Sequence, residues 1–427
     1  MSLIKCSECG KEFSEYAEHC PQCGCPKDKA ILTNAEVYPS PKTSNRKVLW
    51  YIIAAAIICV FGIGTYFSKY NSNAKEITEL SDGEISNAIQ KLANVVGKYD
   101  SLEDFHDGLA VVRQGRKYGC INVYGDEVLA CVYDAIGNFS EGFAYIKKGD
   151  LWGFINTKGK VVVPCRYIEK DGTIPVHPFS EGFAAVSENG KWGYINVKGE
   201  LVISCQYDLA QDFHEGLATV IEQNSTGYIN KLGKSVIPFE YKGGLDFSDG
   251  MALVEDDLGQ TFINKTGEPV FFVDYREYLH INSFHEKLAL VENRTDYKMG
   301  YINNEGTLQV PCIYLDAADF NGGLAVVCDE NNRLGYINTK GELIIPCIYE
   351  SGEDDYGMTM NIAVHSFSED LAAVCQDSKW GYIDKRGNVI ISLKYDFAGR
   401  FSEGLARVRI GKTWGYIDKQ GNSTLSN

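Results

Sequence analysis

Residues 401–421 read FSEGLARVRIGKTWGYIDKQG, and this stretch returns along most of the chain. The motif F-x-x-x-[LFM]-A begins at Phe105, Phe139, Phe179, Phe213, Phe247, Phe284, Phe320, Phe367 and Phe401, at intervals of 34, 40, 34, 34, 37, 36, 47 and 34 residues. Self-similarity at that period marks a repeat architecture, in which units that cannot bury their apolar faces alone do so by stacking. Each copy runs on through an apolar second segment, usually [WY]-G-[YF]-I, into I-[ND]-x-x-G. Most then close on a run like Val-Ile-Pro-x-x-Tyr. Three short apolar runs separated by turn residues predict three antiparallel strands per unit. In I-[ND]-x-x-G the Asn or Asp suits the first position of a type I turn, and Gly the left-handed position that closes it.

This unit resembles the WG repeat, also called the KWG repeat, of bacterial proteins, and the resemblance covers about three quarters of the chain. It implies an interaction module. The expected fold is an all-β array of about nine three-stranded units over residues 99–427, superhelical or β-propeller-like. Three strands per unit is light for a propeller blade, and nine exceeds the usual four to eight blades. The chain opens the array with Tyr99-Asp100, matching Tyr133-Asp134, Tyr207-Asp208 and Tyr395-Asp396, and stops short of that pair in the last unit. The N-terminal piece could therefore complete the last unit and close a ring, or begin an open stack.

Three regions precede the repeats. In residues 1–25, Cys6, Cys9, Cys20 and Cys23 are spaced C-x2-C-x10-C-x2-C. Two such knuckles supply four thiolates for a tetrahedral structural Zn²⁺, whose binding would supply the folding energy of so short a segment. The segment resembles the short zinc ribbons at the N-termini of many bacterial membrane proteins. Four protein ligands leave no open position for catalysis. Residues 26–47, with Pro26, Pro39 and Pro41, read as a linker. Residues 48–67, VLWYIIAAAIICVFGIGTYF, contain no charge. Twenty helical residues cross a hydrocarbon core of about 30 Å, so they predict a single transmembrane helix. Lys29, Lys42, Arg46 and Lys47 precede this span, against Lys69 and Lys75 after it. The positive-inside tendency then keeps the ribbon cytoplasmic and places the repeats outside. Residues 68–98 form a juxtamembrane linker and helix, with a Ser81/Glu84 capping box and a stripe of Ile85, Ile89, Leu92 and Val96 expected to pack on the first repeat.

Composition narrows the function. The chain has 427 residues, 41 Lys+Arg against 57 Asp+Glu and a net charge of -16, which disfavours a nucleic-acid partner. The slot before the WG glycine holds Tyr118, Trp152, Trp192, Thr226, Gln260, Met299, Leu334, Trp380 and Trp414. A slot open to Met, Leu and Thr reads as packing rather than as a ladder of sugar-stacking rings. In the fifth unit Gln260-Thr261 replaces Trp-Gly, predicting an irregular second strand. Acidic residues recur in the turn after the Phe: Asp107, Glu141, Glu181, Glu215, Asp249, Glu286, Glu369 and Glu403. Each stands alone in its unit, so a solvated turn is the expectation, and a calcium or basic-partner ladder the alternative. Cys131, Cys165, Cys205, Cys312 and Cys347 share a register with Phe239 and Leu393, which predicts buried thiols rather than disulfides. An oxidising exterior conflicts with free thiols unless the host is an anaerobe, the thiols are well buried, or the topology is inverted.

His214 and His285 occupy the turn slot of Ser140, and no nucleophile–base pair stands out. The expected function is a non-enzymatic, membrane-anchored binding or scaffold protein for a protein or peptide partner; the alternative is a cell-wall or glycan binder. The long intervals mark insertions at 168–178 and 350–366, the second the favoured place for a specific contact.

Overall fold

The computed structural model describes residues 3–5, 12–14, 82–170, 172–274, 276–352 and 362–425. The chain divides into two compact units, Met1–Tyr66 and Phe67–Asn427. In the first, strands Leu3–Lys5 and Glu12–Ser14 pair antiparallel. Cys6, Cys9, Cys20 and Cys23 and the apolar run 48–67 lie outside the described residues. Among the described residues no helix is long and apolar enough to cross a membrane.

The second unit is a nine-bladed β-propeller. Each repeat forms its own sheet, a meander in which sequence neighbours pair, as in Ser101–His106, Leu109–Gln114, Lys117–Asn122 and Glu127–Tyr133. The expectation of three strands is corrected for six of the nine blades, which have four. The additional strand precedes the Phe motif and is as short as Ala135–Ile136, below what a hydrophobic run reveals. Among the described residues blades 3 and 8 lack this first strand, and both follow an insertion. Blade 9 lacks the fourth, keeping a single bridge from Ile417 to Ser423.

The WG glycine is required by backbone approach. The third and fourth strands shift register at this point, between Trp192 and Tyr194 in blade 3. A Cβ on Gly193 would collide with the carbonyl of Ile203. Blade 5 carries Thr261 there, and its strands instead pair without a break through Gln260, Thr261 and Phe262. The expected irregularity is not found at the substitution: blade 5 loses the shift at this point and keeps the one between Phe262 and Ile263, because a side chain at 261 leaves no room for the first bulge.

The cores lie between blades. Leu109, Val111 and Cys120 of blade 1 pack with Phe139, Ala144 and Ile155 of blade 2, and the pattern continues around the array. It also joins the ends: Leu405 and Tyr416 of blade 9 pack with Leu102, Phe105, Val112 and Ile121 of blade 1. Helix α1 (Asp82–Ala93) adds Ile89 and Leu92 to that cluster, with Val96 just beyond it. The helix therefore covers the junction of the first and last blades, not the first repeat alone.

Polar bonds join the blades as well. Eight acidic turn residues adopt left-handed backbone, with φ between 50° and 55°. The carboxylate of each reaches the next blade's equivalent turn and accepts a backbone N–H. Asp107 accepts from Gly142 at 2.7 Å, Glu141 from Gly182 at 2.7 Å, Glu181 from Gly216 at 2.8 Å and Glu369 from Gly404 at 3.0 Å. Glu215, Asp249 and Glu286 make the same kind of bond to Gly250, Lys287 and Gly323. Glu403 closes the circle by accepting from Gly108 at 2.8 Å. The expected solvated turn is corrected: these carboxylates are clasps between blades, their charge strengthening each bond. Blade 7 has Gly322 in this slot and no clasp.

Two further sets run in parallel. The Ser beside the acid donates to the next blade's Phe carbonyl, as Ser180 does to Phe213 at 2.7 Å and Ser402 to Phe105 at 2.6 Å. The Tyr of WGY donates to the first-strand region of the next blade, as Tyr194 does to Gln211 at 2.7 Å and Tyr416 to Glu103 at 2.6 Å. The closing junction also holds Arg407, whose Nε lies 2.7 Å from Asp104 Oδ1 and whose Nη1 donates to the Leu102 carbonyl. Among the described residues no strand is exchanged between the first and last blades. Side chains and core packing close the ring.

Two outcomes test this closure. Arg407→Ala leaves Asp104 and Glu103 without their shared cation (20% exposed at Arg407) and is expected to lower stability by about 2–4 kcal/mol in denaturant unfolding. Burial, with Asp107 and Glu369 nearby, pushes the Glu403 carboxyl up to about 7. A carboxyl raised on folding favours the folded state while protonated, and that contribution is lost as pH rises from about 4.5 through 7. Glu403→Gln keeps an acceptor for Gly108 without the charge. It is expected to raise the unfolding midpoint relative to the parent at pH 8 and to have a smaller effect at pH 5.

Candidate interaction site at the two interrupted junctions

The regular junctions leave little open. Trp152, Trp192 and Trp380 of the WG slot are buried, as are most tyrosines of the third strands. Among the described residues the exposed aromatic rings are Phe272 and Tyr297, with no row of them. The sugar-stacking ladder is absent from these residues. Nor do any three His, Cys, Asp or Glu converge as a metal site among them. His214 and His285, in the slot where Ser bridges to the next blade, instead lie 3.8 Å and 3.7 Å from Asp246 and Asp319.

The cysteine register is only half-buried at Cys131, Cys165, Cys205, Cys312 and Cys347, whereas Cys120, Cys328 and Cys375 are buried. All eight are free thiols. Burial pushes Cys120 up to about 12, and Cys312, Cys347 and Cys375 up to about 11. Thiols held protonated at neutral pH are poor nucleophiles.

Both insertions open clefts. Between blades 2 and 3 a cavity of about 1000 Å³ is lined by Arg166, Tyr167, Ile168, Lys170, Thr173, Pro175, Ser187, Asn189, Trp192 and Leu209, among others. Between blades 7 and 8 a cavity of about 580 Å³ is lined by Asn331, Arg333, Glu350, Ser351, Ser378, Trp380 and Arg409, among others. The two are structural equivalents. Each contains the WG tryptophan of the later blade, its first hairpin turn, and the inserted chain. Of the second insertion, residues 353–361 lie outside the described residues.

The local cause is the missing first strand. In blade 3 the inserted chain touches the sheet through one bridge, Val176 to Val186, and His177 packs edge-on against Trp192 at 4.9 Å. In blade 8 the insertion ends in the short helix Ile362–His365. His365 is buried, stacks on Trp380 at 5.0 Å, and has a carbonyl oxygen 2.9 Å from each ring nitrogen, those of Ala373 and Ser351. Burial holds its pKa below the ordinary value, against the pull of the two carbonyls. It is a strut for the inserted loop. Insertion length located both clefts, but the unpaired backbone at the first, the Ser187 carbonyl and the Asn189 N–H, had no sequence signal of its own.

The family comparison agrees with the repeat pattern. A family model described as "WG containing repeat" matches residues 97–118, 118–152, 152–192, 192–224, 227–257, 299–332, 335–380 and 380–414. A protein of Haemophilus influenzae described as "Uncharacterized protein" is 38% identical over 72 residues, which span 14% of this chain and 92% of that protein. Among solved structures, a eukaryotic initiation factor shares 10% identity at a TM-score of 0.47, covering 69% of this chain and 87% of that one. Apo AztD from Citrobacter koseri shares 14% identity at 0.36, covering 67% and 94%. Likenesses this distant do not bear on function. The matched repeats cover more than half of the sequence, and the chain belongs to the WG-containing-repeat family.

Proposed function

We propose that this chain is a non-enzymatic binding protein, anchored in a membrane by residues 48–67, that presents its propeller to a protein or peptide partner. The observation that carries the reading is the coincidence of both breaks in the nine-fold pattern with clefts. At both insertions the described residues lack the first strand, and cavities of about 1000 and 580 Å³ open there. A propeller offers a rigid frame, and loops carried on such a frame are where recognition is usually built. The four cysteines Cys6, Cys9, Cys20 and Cys23 would bind a structural zinc as a cytoplasmic docking ribbon. The charge bias around the span would place the repeats outside. Of the eight free thiols three are buried and five half-buried, and burial raises the pKa of each, which slows their oxidation in such a location.

A photo-crosslinking residue in place of Ile174, on the first insertion, tests the contact in cells. The control replaces Leu232, 89% exposed on a regular turn. Discrete adducts from position 174 and none from 232 are expected; equal labelling from both would remove the cleft from the account. Protease digestion of a C-terminal tag in intact cells tests the orientation. Loss of the tag before lysis is expected, and protection until lysis would place the repeats in the cytoplasm.

A further inference from the structure

The regular junctions show what a sealed boundary contains. At three of them an Asp follows the Tyr of the fourth strand; Lys242 and Leu315 hold the position at two others, where the backbone N–H still donates to the Glu255 and Cys328 carbonyls of the next blade. Between blades 1 and 2 this is Asp134, whose carboxylate is 2.6 Å from Lys117 and accepts the N–H of Gly149, the first residue of the next blade's hairpin turn, at 2.8 Å. Its own N–H donates to the Lys147 carbonyl at 2.9 Å. Asp208 and Asp396 repeat all three bonds, to Lys191, Gln223 and Ile221, and to Lys379, Gly411 and Arg409. Each time one extended acidic residue satisfies a backbone carbonyl and a turn N–H together.

Between blades 2 and 3 this residue is missing. Ile168, 66% exposed, stands in the Asp position, and Leu151 in the Lys position. Glu169 turns back into blade 2, accepting from Lys147 at 2.6 Å and Trp152 at 3.1 Å. The groups that would receive the Asp remain. The Ser187 carbonyl, equivalent to that of Lys147, has no donor among the described residues. The Asn189 N–H, equivalent to that of Gly149, has no acceptor there. Both residues line the 1000 Å³ cleft.

The charges around the cleft are unequally committed. Asp208 is held by Lys191 and Gln223, and Glu188 lies 4.0 Å from Arg166. Lys170 has no ion-pair partner among the described residues. Tyr167, Pro175 and Leu209 supply apolar wall.

We propose that this cleft binds an extended acidic peptide segment of a protein partner, one Asp or Glu of which takes the place left vacant at this junction. The peptide N–H of that residue bonds to the Ser187 carbonyl and its carboxylate to the Asn189 N–H, with Lys170 as counter-ion. Its apolar neighbour lies on the exposed Ile168. This rests on the reading of the cleft as a partner site and supplies the chemistry of the contact.

The protein's own sequence provides the probe. The tetrapeptide acetyl-Tyr-Asp-Ala-Ile-amide copies residues 133–136, which fill the equivalent junction. Saturation-transfer NMR with the full-length chain suits the weak binding expected of so short a ligand. The Asp peptide is expected to receive saturation, and the matched Asn peptide about tenfold less, the worth of a charge-assisted bond. Lys170→Glu is expected to weaken transfer to the Asp peptide, while Lys412→Glu on blade 9 leaves it unchanged. Equal transfer to both peptides, no transfer to either, or indifference to Lys170→Glu would overturn the proposal. Adducts from position 174 with a silent Asp peptide would mean that the cleft meets its partner by other chemistry; absence of both would remove the partner site itself.

Discussion

The ring depends on one recurring bond: a carboxylate, held on a left-handed turn residue, that accepts a backbone N–H from the next blade. A non-glycine residue in the left-handed region costs about 1 kcal/mol or more and persists where its surroundings require it. Here eight residues share φ near 50° and the conformation directs each side chain across the junction. The serine and tyrosine bonds run in the same direction, so every junction reads from blade n to blade n + 1. Such a one-way set of bonds has a defined end unless the array closes. Glu403, Ser402 and Tyr416 find their acceptors and donors in blade 1, which makes the last junction equivalent to the others.

That closure explains the added features at the seam. Among the described residues blade 9 has three strands and shares none with blade 1, so no strand locks this junction. Arg407 and helix α1 take that part, the first by an ion pair between chain ends, the second by covering Leu405 and Tyr416. Burial raises the Glu403 carboxyl at this junction, with Asp107 and Glu369 adding to it. Closure of nine similar units also explains why function gathers at the exceptions. A junction with all its bonds made has no free backbone to offer a partner.

The repeat, its count and its turns were legible because they recur in residue identity. The Phe, WG and I-[ND]-x-x-G positions each map onto one structural role. The short first strand was not legible, since two residues such as Ala135 and Ile136 carry no periodicity. Closure was not legible either, because Gly108 and Glu403 are 295 residues apart and nothing local distinguishes a ring from a stack. The acidic slot was visible but misread: a carboxylate in an exposed-looking turn gives no sign of reaching a neighbouring backbone. The tyrosine bond follows the sequence closely, being absent in blades 1, 2 and 5, where Cys120, Phe154 and Phe262 stand in the Tyr position. For the candidate site, insertion length identified the place, while the unsatisfied Ser187 carbonyl and Asn189 N–H required coordinates.

Amide hydrogen exchange at Gly108 tests the ring most directly. Its N–H is satisfied only across the seam, by Glu403 at 2.8 Å, just as Gly142 and Gly404 are satisfied across ordinary junctions. A closed ring predicts protection at Gly108 comparable to that at Gly142 and Gly404. Exchange of Gly108 at the rate of an open turn, with the other two protected, would mean that the array does not close.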